Sequence, residues 1–597
     1  MIPAEALPNA SPFRLWFGFA AMCLGMFMAI LDIQIVVTSL PVIEEALEIG
    51  ADRMSWVQTA YLIAEVIAIP LTGLLTRIFS LRWLFMGAIA AFTLASAGCA
   101  ASQGFASLIT FRVFQGMAGG VLIPLVFSAI FLLFQRGFQQ TAATTLGGVL
   151  AVLAPALGPI TGGFITEHFS WHWLFLINVL PGAIALIIAF YCLTPQRPAL
   201  ALLRQLDWIS LVLIAVSLAA IEIGLKEAPN RGWISVTVLG LFAITVVAGF
   251  LAVRRARPVV DFSLLKDRNL AFGCGVSFFL GMGLFGSVYL MPVFLAFVRK
   301  HGPIEIGMII LVTGIAQLIT APFAVQIDRK FPARILSIIG FTGFAIGLAM
   351  SARQTVNTDY DQMFWPQVVR GSFIALCILP PTRFALGLLP LDRVADASGL
   401  YNLCRNLGGA IGIALIDTVL FTRGPDIASD LTDLLKTDPA KAAALLGLSP
   451  DDIPAPDDAT GFMSIMDSIQ DASVTLAINE AWAMLAGVTL LAVLLLLVMG
   501  PISCARKPAR PATTGRGHVK GQALSVAVNI SLTKNIMALC RLRHLTAFGA
   551  LEPCAGDSGG NCQKGLRFRR ESDGLQFIHR GQPSVDTRCC GKDLLAH

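Results

Sequence analysis

The run Leu146-Gly-Gly-Val-Leu-Ala-Val-Leu-Ala-Pro155-Ala-Leu-Gly158-Pro159-Ile-Thr-Gly162-Gly163-Phe-Ile165 is apolar enough to lie in a membrane, yet it is full of glycine and proline. On a helix at about 100° per residue, Gly147, Ala151, Ala154, Gly158 and Gly162 fall on one narrow stripe. Such a stripe admits another backbone at close range, as small-residue motifs do in lipid. Pro155 and Pro159 each remove a backbone donor and bend the axis. The segment is expected to be a kinked membrane helix built to pack tightly against a neighbour.

The rest of the chain has the same character. Of 597 residues, 13% are charged and 56% hydrophobic, whereas soluble domains carry about 25% charge. Mean hydropathy is +0.75. This composition specifies a polytopic membrane protein. A span needs about 20 mostly apolar residues, and fourteen stretches qualify: 14–40, 56–76, 83–102, 107–134, 141–165, 172–193, 208–225, 233–253, 270–298, 304–327, 334–351, 363–388, 399–422 and 479–500. The first contains Asp32 and is read as a retained span, since nothing after it resembles a cleavage site. An even count puts both termini on one side. Arg77 and Arg82, Arg136, Arg197 and Arg204, the set Arg254, Arg255, Arg257, Lys266 and Arg268, then Arg329, Lys330 and Arg334 occupy alternate loops. The termini, including residues 1–13, are therefore expected to be cytoplasmic.

Two segments stand outside this pattern. The outward loop 423–478 is long and acidic, with Asp426, Asp430, Asp433, Asp451, Asp452, Asp457 and Asp458 among its residues. Asp438 and Pro439 resemble the cap and first position of a short helix reaching Leu446. Residues 503–597 are basic and lack a sustained apolar period, which predicts a disordered cytoplasmic tail. The chain's 12 cysteines form no C-x-x-C pair, so neither a disulfide framework nor a metal site is expected.

Ionisable groups within a span cost at least a few kcal/mol, which makes each a functional candidate. Asp32 lies late in the first span, and Gly18 and Gly25 share its face. Gln58, Tyr61, Glu65 and Thr72 align on the second span and suggest the wall of a water-filled cavity. Arg112, Gln115, Gly116 and Gly119 share a face of the fourth. Asn402, Arg405, Gly409 and Gly412 do so in the thirteenth. Burial disfavours a charged carboxylate and a nearby guanidinium favours it, so Asp32, Glu65 and Arg112 together could take up and release a proton.

These residues resemble a known family. Arg112-Val-Phe-Gln115-Gly116 is similar to the R-x-x-Q-G motif of major facilitator antiporters, and Gly158-Pro159-Ile-Thr-Gly162-Gly163 to their fifth-helix antiporter motif. Leu31-Asp32-Ile-Gln34 through Leu40-Pro41 resembles the first-helix motif of the 14-helix drug/proton antiporters of the EmrB/QacA type. Trp171-His-Trp173-Leu-Phe-Leu-Ile-Asn178 and Arg405-Asn406-Leu-Gly408-Gly409 are similar to that family as well. The chain departs from it in places. Gln34 replaces a threonine. In the 2–3 loop, Arg77 replaces an aspartate, Ser80 a glycine and Leu81 an arginine. The usual charge network closing the cytoplasmic side is thus not expected in its usual form, and Arg82 must pair otherwise.

The resemblance implies an all-α major facilitator fold of 14 transmembrane helices. Two six-helix bundles (14–193 and 270–502) would be joined by two linking helices (208–253). It implies proton-coupled multidrug efflux across a bacterial inner membrane by alternating access. Asp32, Glu65 and Arg112 would couple protons. Gln34, Gln58, Tyr61, Gln115, Asn402 and Arg405 would line the substrate cavity. Gly147, Gly158, Pro159, Gly162 and Gly163 would seal the bundle interface. The expected partners are a small hydrophobic or amphipathic substrate, protons and the bilayer, with a periplasmic adaptor and an outer-membrane channel; no nucleic acid, cofactor or metal is expected. Export of one dedicated metabolite or lipid, and a non-transporting sensor or scaffold, are the competing readings. An enzyme is not expected, because the chain has no phosphate loop or nucleophile elbow.

Overall fold

A computed structural model describes residues 11–48, 56–135, 137–255, 260–449 and 465–499. The N-terminal ten residues, the 503–597 tail, Arg136, Arg257 and the acids Asp451, Asp452, Asp457 and Asp458 lie outside the described residues. Every regular element among those described is a helix. In chain order they are α1 (Pro12–Thr38), α2 (Leu40–Leu47), α3 (Trp56–Ala68), α4 (Thr72–Ala100), α5 (Phe105–Leu133), α6 (Phe138–His168), α7 (Trp173–Leu176) and α8 (Val179–Cys192). Then follow α9 (Trp208–Arg231), α10 (Val236–Val253), α11 (Arg268–Phe297), α12 (Pro303–Lys330), α13 (Ala333–Met350), α14 (Tyr360–Leu386), α15 (Leu391–Thr437), α16 (Pro439–Leu446) and α17 (Met466–Val498).

Helices α1, α3–α5, α7 and α8 pack mainly on one another, as do α11–α15 and α17, which gives the two bundles, while α6 packs on α1 of the first and as closely on α12 of the second. Helices α9 and α10 form a hairpin, and α9 also touches α3 of the first bundle and α15 of the second. The hairpin is tied at one end, where Asp207 caps α9 and binds Arg255 at 2.8 Å. The hydrogen bond from Arg255 holds the Asp207 carboxyl below the usual carboxylate range. Outward faces are apolar: Leu180, Ile187, Val236, Val246 and Phe250 are all exposed. So much contiguous apolar surface is stable only against lipid.

Among the described residues, twelve continuous helices are long and apolar enough to cross a membrane, or thirteen if the bent pair Phe138–Pro155 and Ile160–His168 counts as one span. Continuous helices therefore fall short of the fourteen expected. One of the twelve, Trp56–Ala100, is 45 residues long, which at 1.5 Å per residue is roughly twice the ~30 Å hydrocarbon core. It breaks at Ser80, with φ 67° and ψ 162°. Only glycine adopts that region without strain of about 1–3 kcal/mol. Ser80 stands where the family pattern has glycine. Ser80→Gly is expected to stabilise the purified protein by about 1 kcal/mol, read as a higher midpoint of thermal unfolding; an unchanged or lower midpoint would refute the strain.

The fifth-span segment is helical over Phe138–His168, and its two halves are inclined at 44° beyond Pro155. The described part of the acidic loop is largely helical. Helix α15 continues past residue 422 to Thr437 because Ile427, Leu431 and Leu435 recur one turn apart and bury on Ile469 and Ala472. Helix α16 begins at Pro439, as the sequence predicts, and the Asp438 side chain accepts the Lys441 amide at 3.1 Å. Asp426, Asp430 and Asp433 are exposed on the opposite side of the α15 extension.

Candidate functional site

The centre of the first bundle holds a buried polar cluster in apolar surroundings, in which Arg112 Nη2 alone of the guanidinium nitrogens has no hydrogen-bond partner among the described residues. Asp32 from α1 and Arg112 from α5 are both fully buried, and Arg112 Nη1 donates to Asp32 Oδ2 at 2.6 Å. Gln115 Nε2 and Asn178 Nδ2 donate to Asp32 Oδ1 at 2.9 and 2.7 Å. Arg112 Nε donates to the Val57 carbonyl at 3.0 Å, and Nη1 also reaches Gln115 Oε1 at 2.8 Å. The guanidinium lies 4.4 Å from the centre of the Tyr61 ring. Breaking such a buried pair costs about 3–5 kcal/mol, whereas its net contribution to stability is small. A buried pair of this kind is thus weak evidence for stability and stronger evidence for use.

The sequence proposes Asp32, Arg112 and Gln115, and the structure brings them together. Asn178 enters the sequence reading only within a motif. The signal for it was an amide in an otherwise apolar run, where it must find a polar partner. Gly18 and Gly25 make the Asp32 face a packed one: a Cβ on Gly25 would stand 3.1 Å from Phe85, and one on Gly18 2.8 Å from Leu193.

Tyr61 and Glu65 are buried, Gln58 half-buried. The side expected to wall a cavity here forms a helix seam. The Tyr61 and Glu65 carbonyls press on Gly116 and Gly120 of α5, where no side chain would fit. The Tyr61 hydroxyl donates to the Ala29 carbonyl at 3.1 Å. Glu222 of α9, a helix that packs on α3, lies close enough to Glu65 for their charges to oppose each other.

In the second bundle, Asn402 Nδ2 donates back to the Ser398 carbonyl at 2.8 Å. Arg405 is buried between the Phe127 and Tyr401 rings, at 5.4 and 5.2 Å from their centres. Gly409 and Gly412 pack on Phe285 and Met282 of α11.

The α6 stripe divides its work. Gly147 faces Val126 and Ile130 of α5, and Gly158 meets Gln34 of α1, all within the first bundle. The carbonyls of Gly162 and Gly163 accept from the Thr166 hydroxyl at 2.8 and 3.1 Å; the Pro159 side chain lies outside the described residues. Contact with the second bundle uses the neighbouring face. Gly148 meets Ile378, its carbonyl accepts from Gln317, and Ile160 presses on Gly307 of α12. One residue along a helix is a turn of about 100°, enough to separate the two faces.

A second inter-bundle seam lies by the 2–3 turn. Arg77 pairs with Asp396 of α15, while Asp261 and Asp392 add negative charge around it. The carboxylate missing from position 77 is thus supplied by the other bundle, with the polarity reversed. Arg82 donates to the Phe190 carbonyl at 2.7 Å within its own bundle. Ser398 Oγ donates to the Pro124 carbonyl across the seam at 2.9 Å. The Arg77 side chain is 42% exposed, so the pair contributes about 1 kcal/mol or less. Arg77→Asp is expected to raise maleimide labelling of a Ser398→Cys reporter up to about fivefold, and adding Asp396→Arg to restore it. Equal labelling in all three backgrounds would show that the charges do not hold the seam.

Two helical bundles joined by a lipid-exposed hairpin, with a charge pair buried in one of them, define a multi-pass membrane transporter. The chain belongs to the major facilitator superfamily, whose model matches residues 22–413, and within it to the EmrB-type exporters. It is 38% identical over 410 residues to the colistin resistance protein EmrB of Acinetobacter baumannii, covering 68% of this chain and 80% of that one. It is 30% identical over 483 residues to the multidrug export protein EmrB of Escherichia coli K12, covering 79% and 92%. The structure of the human organic anion transporter MFSD10 matches with a TM-score of 0.52 at 12% identity, over 81% of this chain and 100% of that one, a likeness of fold.

Proposed function

We propose that the chain is a proton-coupled exporter of amphipathic, mostly hydrophobic compounds that works by alternating access. One observation carries the reading: a fully buried carboxylate, Asp32, joined to a fully buried Arg112 and to amides from α5 and the start of α8. Protonation of Asp32 from outside removes its charge from Arg112 and loosens the tie between α1 and α5. Arg112 keeps the Val57 carbonyl and Gln115, so it stays in place. Loss of the proton inward restores the tie. Glu65, opposed by Glu222, is the second proton carrier. The names of the relatives, which record multidrug export and resistance, support the same direction.

Trp56–Ala100, divided at Ser80, is taken as two passes, which with the bent pair gives fourteen spans. Positive charge in alternate loops supports cytoplasmic termini in a bacterial inner membrane. The acidic extension of α15 is the surface offered to a periplasmic adaptor. The test is transport by the purified protein in proteoliposomes across a panel of amphipathic compounds, with proton release as readout. Efflux that survives collapse of the proton gradient would refute the reading, and a response to one compound alone would narrow it to a dedicated exporter.

A further inference from the structure

Both bundles use arginine to close the last turn of their sixth long helix, but not in equal number. In the second bundle Arg334, at the start of α13, donates from Nε to the Leu496 carbonyl at 2.8 Å and from Nη2 to the Leu497 carbonyl at 2.7 Å, at the end of α17. One guanidinium thus serves two consecutive carbonyls. In the first bundle the corresponding helix is α8, which packs on both α1 and α4. There two arginines divide the work. Arg82 of α4 donates to the Phe190 carbonyl at 2.7 Å, and Arg14 of α1 donates to the Tyr191 carbonyl. Arg82 Nε is left buried, with no hydrogen-bond partner among the described residues.

The C-terminal end of a helix carries about half a negative charge, so two guanidinium groups leave an excess of more than one positive charge. Among the described residues no carboxylate stands within ion-pair distance of Arg14 or Arg82. The excess is held in place. A Cβ on Gly18 of α1 would stand 2.8 Å from Leu193, and Thr93 of α4 leaves no room for one on Gly182 of α8. The surroundings are apolar and exposed. The Arg82 guanidinium lies 5.2 Å from the centre of the Phe190 ring and 5.7 Å from that of Trp83, both exposed. Phe13 and Phe17, on either side of Arg14 in the chain, are exposed too. Leu180, Ile184, Ile187 and Tyr191, each one turn from the next, form an exposed stripe that leads from the arginines along α8. Trp and Tyr rings at the end of a span belong to the membrane interface.

Unmatched positive charge beside an exposed apolar stripe suits an anion that brings its own hydrocarbon. We propose that Arg14 and Arg82 bind the phosphate of an anionic phospholipid, whose acyl chains lie along the α8 stripe beside Phe17 and Trp83. The planar fork of arginine matches phosphate oxygens, and basic pockets between helices at the membrane surface take such headgroups. The lipid ties α1, which carries Asp32, to α4 across the end of α8. It is a resident of the lipid-facing wall of the first bundle rather than cargo. The proposal needs only that the chain spans a bilayer, so it stands or falls separately from proton-coupled export. Free phosphate has the same chemistry and is distinguished by the test.

The test is titration of the purified, delipidated full-length protein with dioleoylphosphatidylglycerol or dioleoylphosphatidylcholine, with bound lipid counted by native mass spectrometry. Saturable binding of phosphatidylglycerol is expected, about tenfold tighter than that of phosphatidylcholine. Arg14→Gln and Arg82→Gln should each weaken it about fivefold, and together about twentyfold. Arg82→Lys, which keeps the charge and loses the fork, should recover part of the loss. Lys266→Gln removes an exposed charge just ahead of α11 and should change nothing. Should Arg82→Gln fail to give monodisperse protein, Arg14→Gln alters an exposed side chain and carries the fivefold loss alone. If the two lipids bind alike while sodium phosphate raises the thermal midpoint of wild type but not of the double variant, the arginines hold a free anion and the lipid is overturned. Equal phosphatidylglycerol affinity of wild type and the folded arginine variants would overturn the site, as would an equal loss in Lys266→Gln.

Discussion

Asp32→Asn is expected to abolish uphill, proton-driven efflux while leaving downhill substrate exchange in place. Asparagine keeps the size of the side chain and an oxygen for Gln115 and Asn178, which donate to Asp32 Oδ1 at 2.9 and 2.7 Å. It removes the only atom of residue 32 that can carry a proton through the cycle. Each proton moving down 100 mV supplies about 2.3 kcal/mol, so the steady-state gradient should fall by roughly fortyfold for every proton no longer coupled. Arg112 loses its counter-charge but retains the Val57 carbonyl, Gln115 and the Tyr61 ring. Under the proposed cycle Arg112 likewise loses that counter-charge whenever Asp32 is protonated, although the asparagine NH2, unlike a carboxyl hydroxyl, cannot accept from Arg112 Nη1. The variant should therefore remain monodisperse, with a lowered thermal midpoint. Arg112→Leu is a different case, because it strands a buried carboxylate and should cost about 3–5 kcal/mol. The decisive measurement is substrate accumulation in proteoliposomes under an imposed pH gradient. An Asp32→Asn protein that still concentrates substrate against its gradient would exclude Asp32 from coupling.

Gly73→Val is expected to lower turnover by about a hundredfold through shape alone. Gly73 lies at the start of α4 against α15, and a Cβ there would stand 2.6 Å from the Asp396 Cα and 2.7 Å from its backbone nitrogen. Both partners are helical backbone, so no change of rotamer relieves the contact. Overpacking costs about 1–3 kcal/mol where neighbours can yield, and here they yield only if the bundles part. At 3 kcal/mol, the closed seam is depopulated about a hundredfold. Maleimide labelling of Ser398→Cys, in a cysteine-depleted chain, should rise from near zero toward completion. Gly87→Val on the same helix is the control, since nothing lies within 4 Å of a Cβ there. Wild-type turnover with an unlabelled reporter in Gly73→Val would show that the closed seam is not part of the cycle.

The reliability of the sequence reading followed the length scale of the forces involved. Burial in lipid and the backbone's need for hydrogen bonds act over a whole segment, so runs of about 20 apolar residues located the helices. Asp32 and Arg112 were conspicuous because a charge in hydrocarbon demands a reason. Boundaries were less legible. Nothing in 423–437 is apolar enough to be counted as a span, yet α15 continues there because Ile427, Leu431 and Leu435 find Ile469 and Ala472 from a distant part of the chain. Glu222 faces Glu65 in the structure, a juxtaposition that depends on where the α9–α10 hairpin docks.

The stretch at 146–165 shows the same division. By itself the sequence determined that it is a bent helix with a face of small residues, since helix period and proline geometry are local. Which neighbour that face meets was decided only by the tertiary structure. Gly147 and Gly158 close onto α5 and α1, while Gly148 and Ile160, on the adjacent face, meet the second bundle. The physical reason applies equally to Arg77 with Asp396 and to Glu65 with Glu222. Charge and side-chain volume belong to residues and can be read in order, whereas complementarity belongs to pairs that only packing brings together.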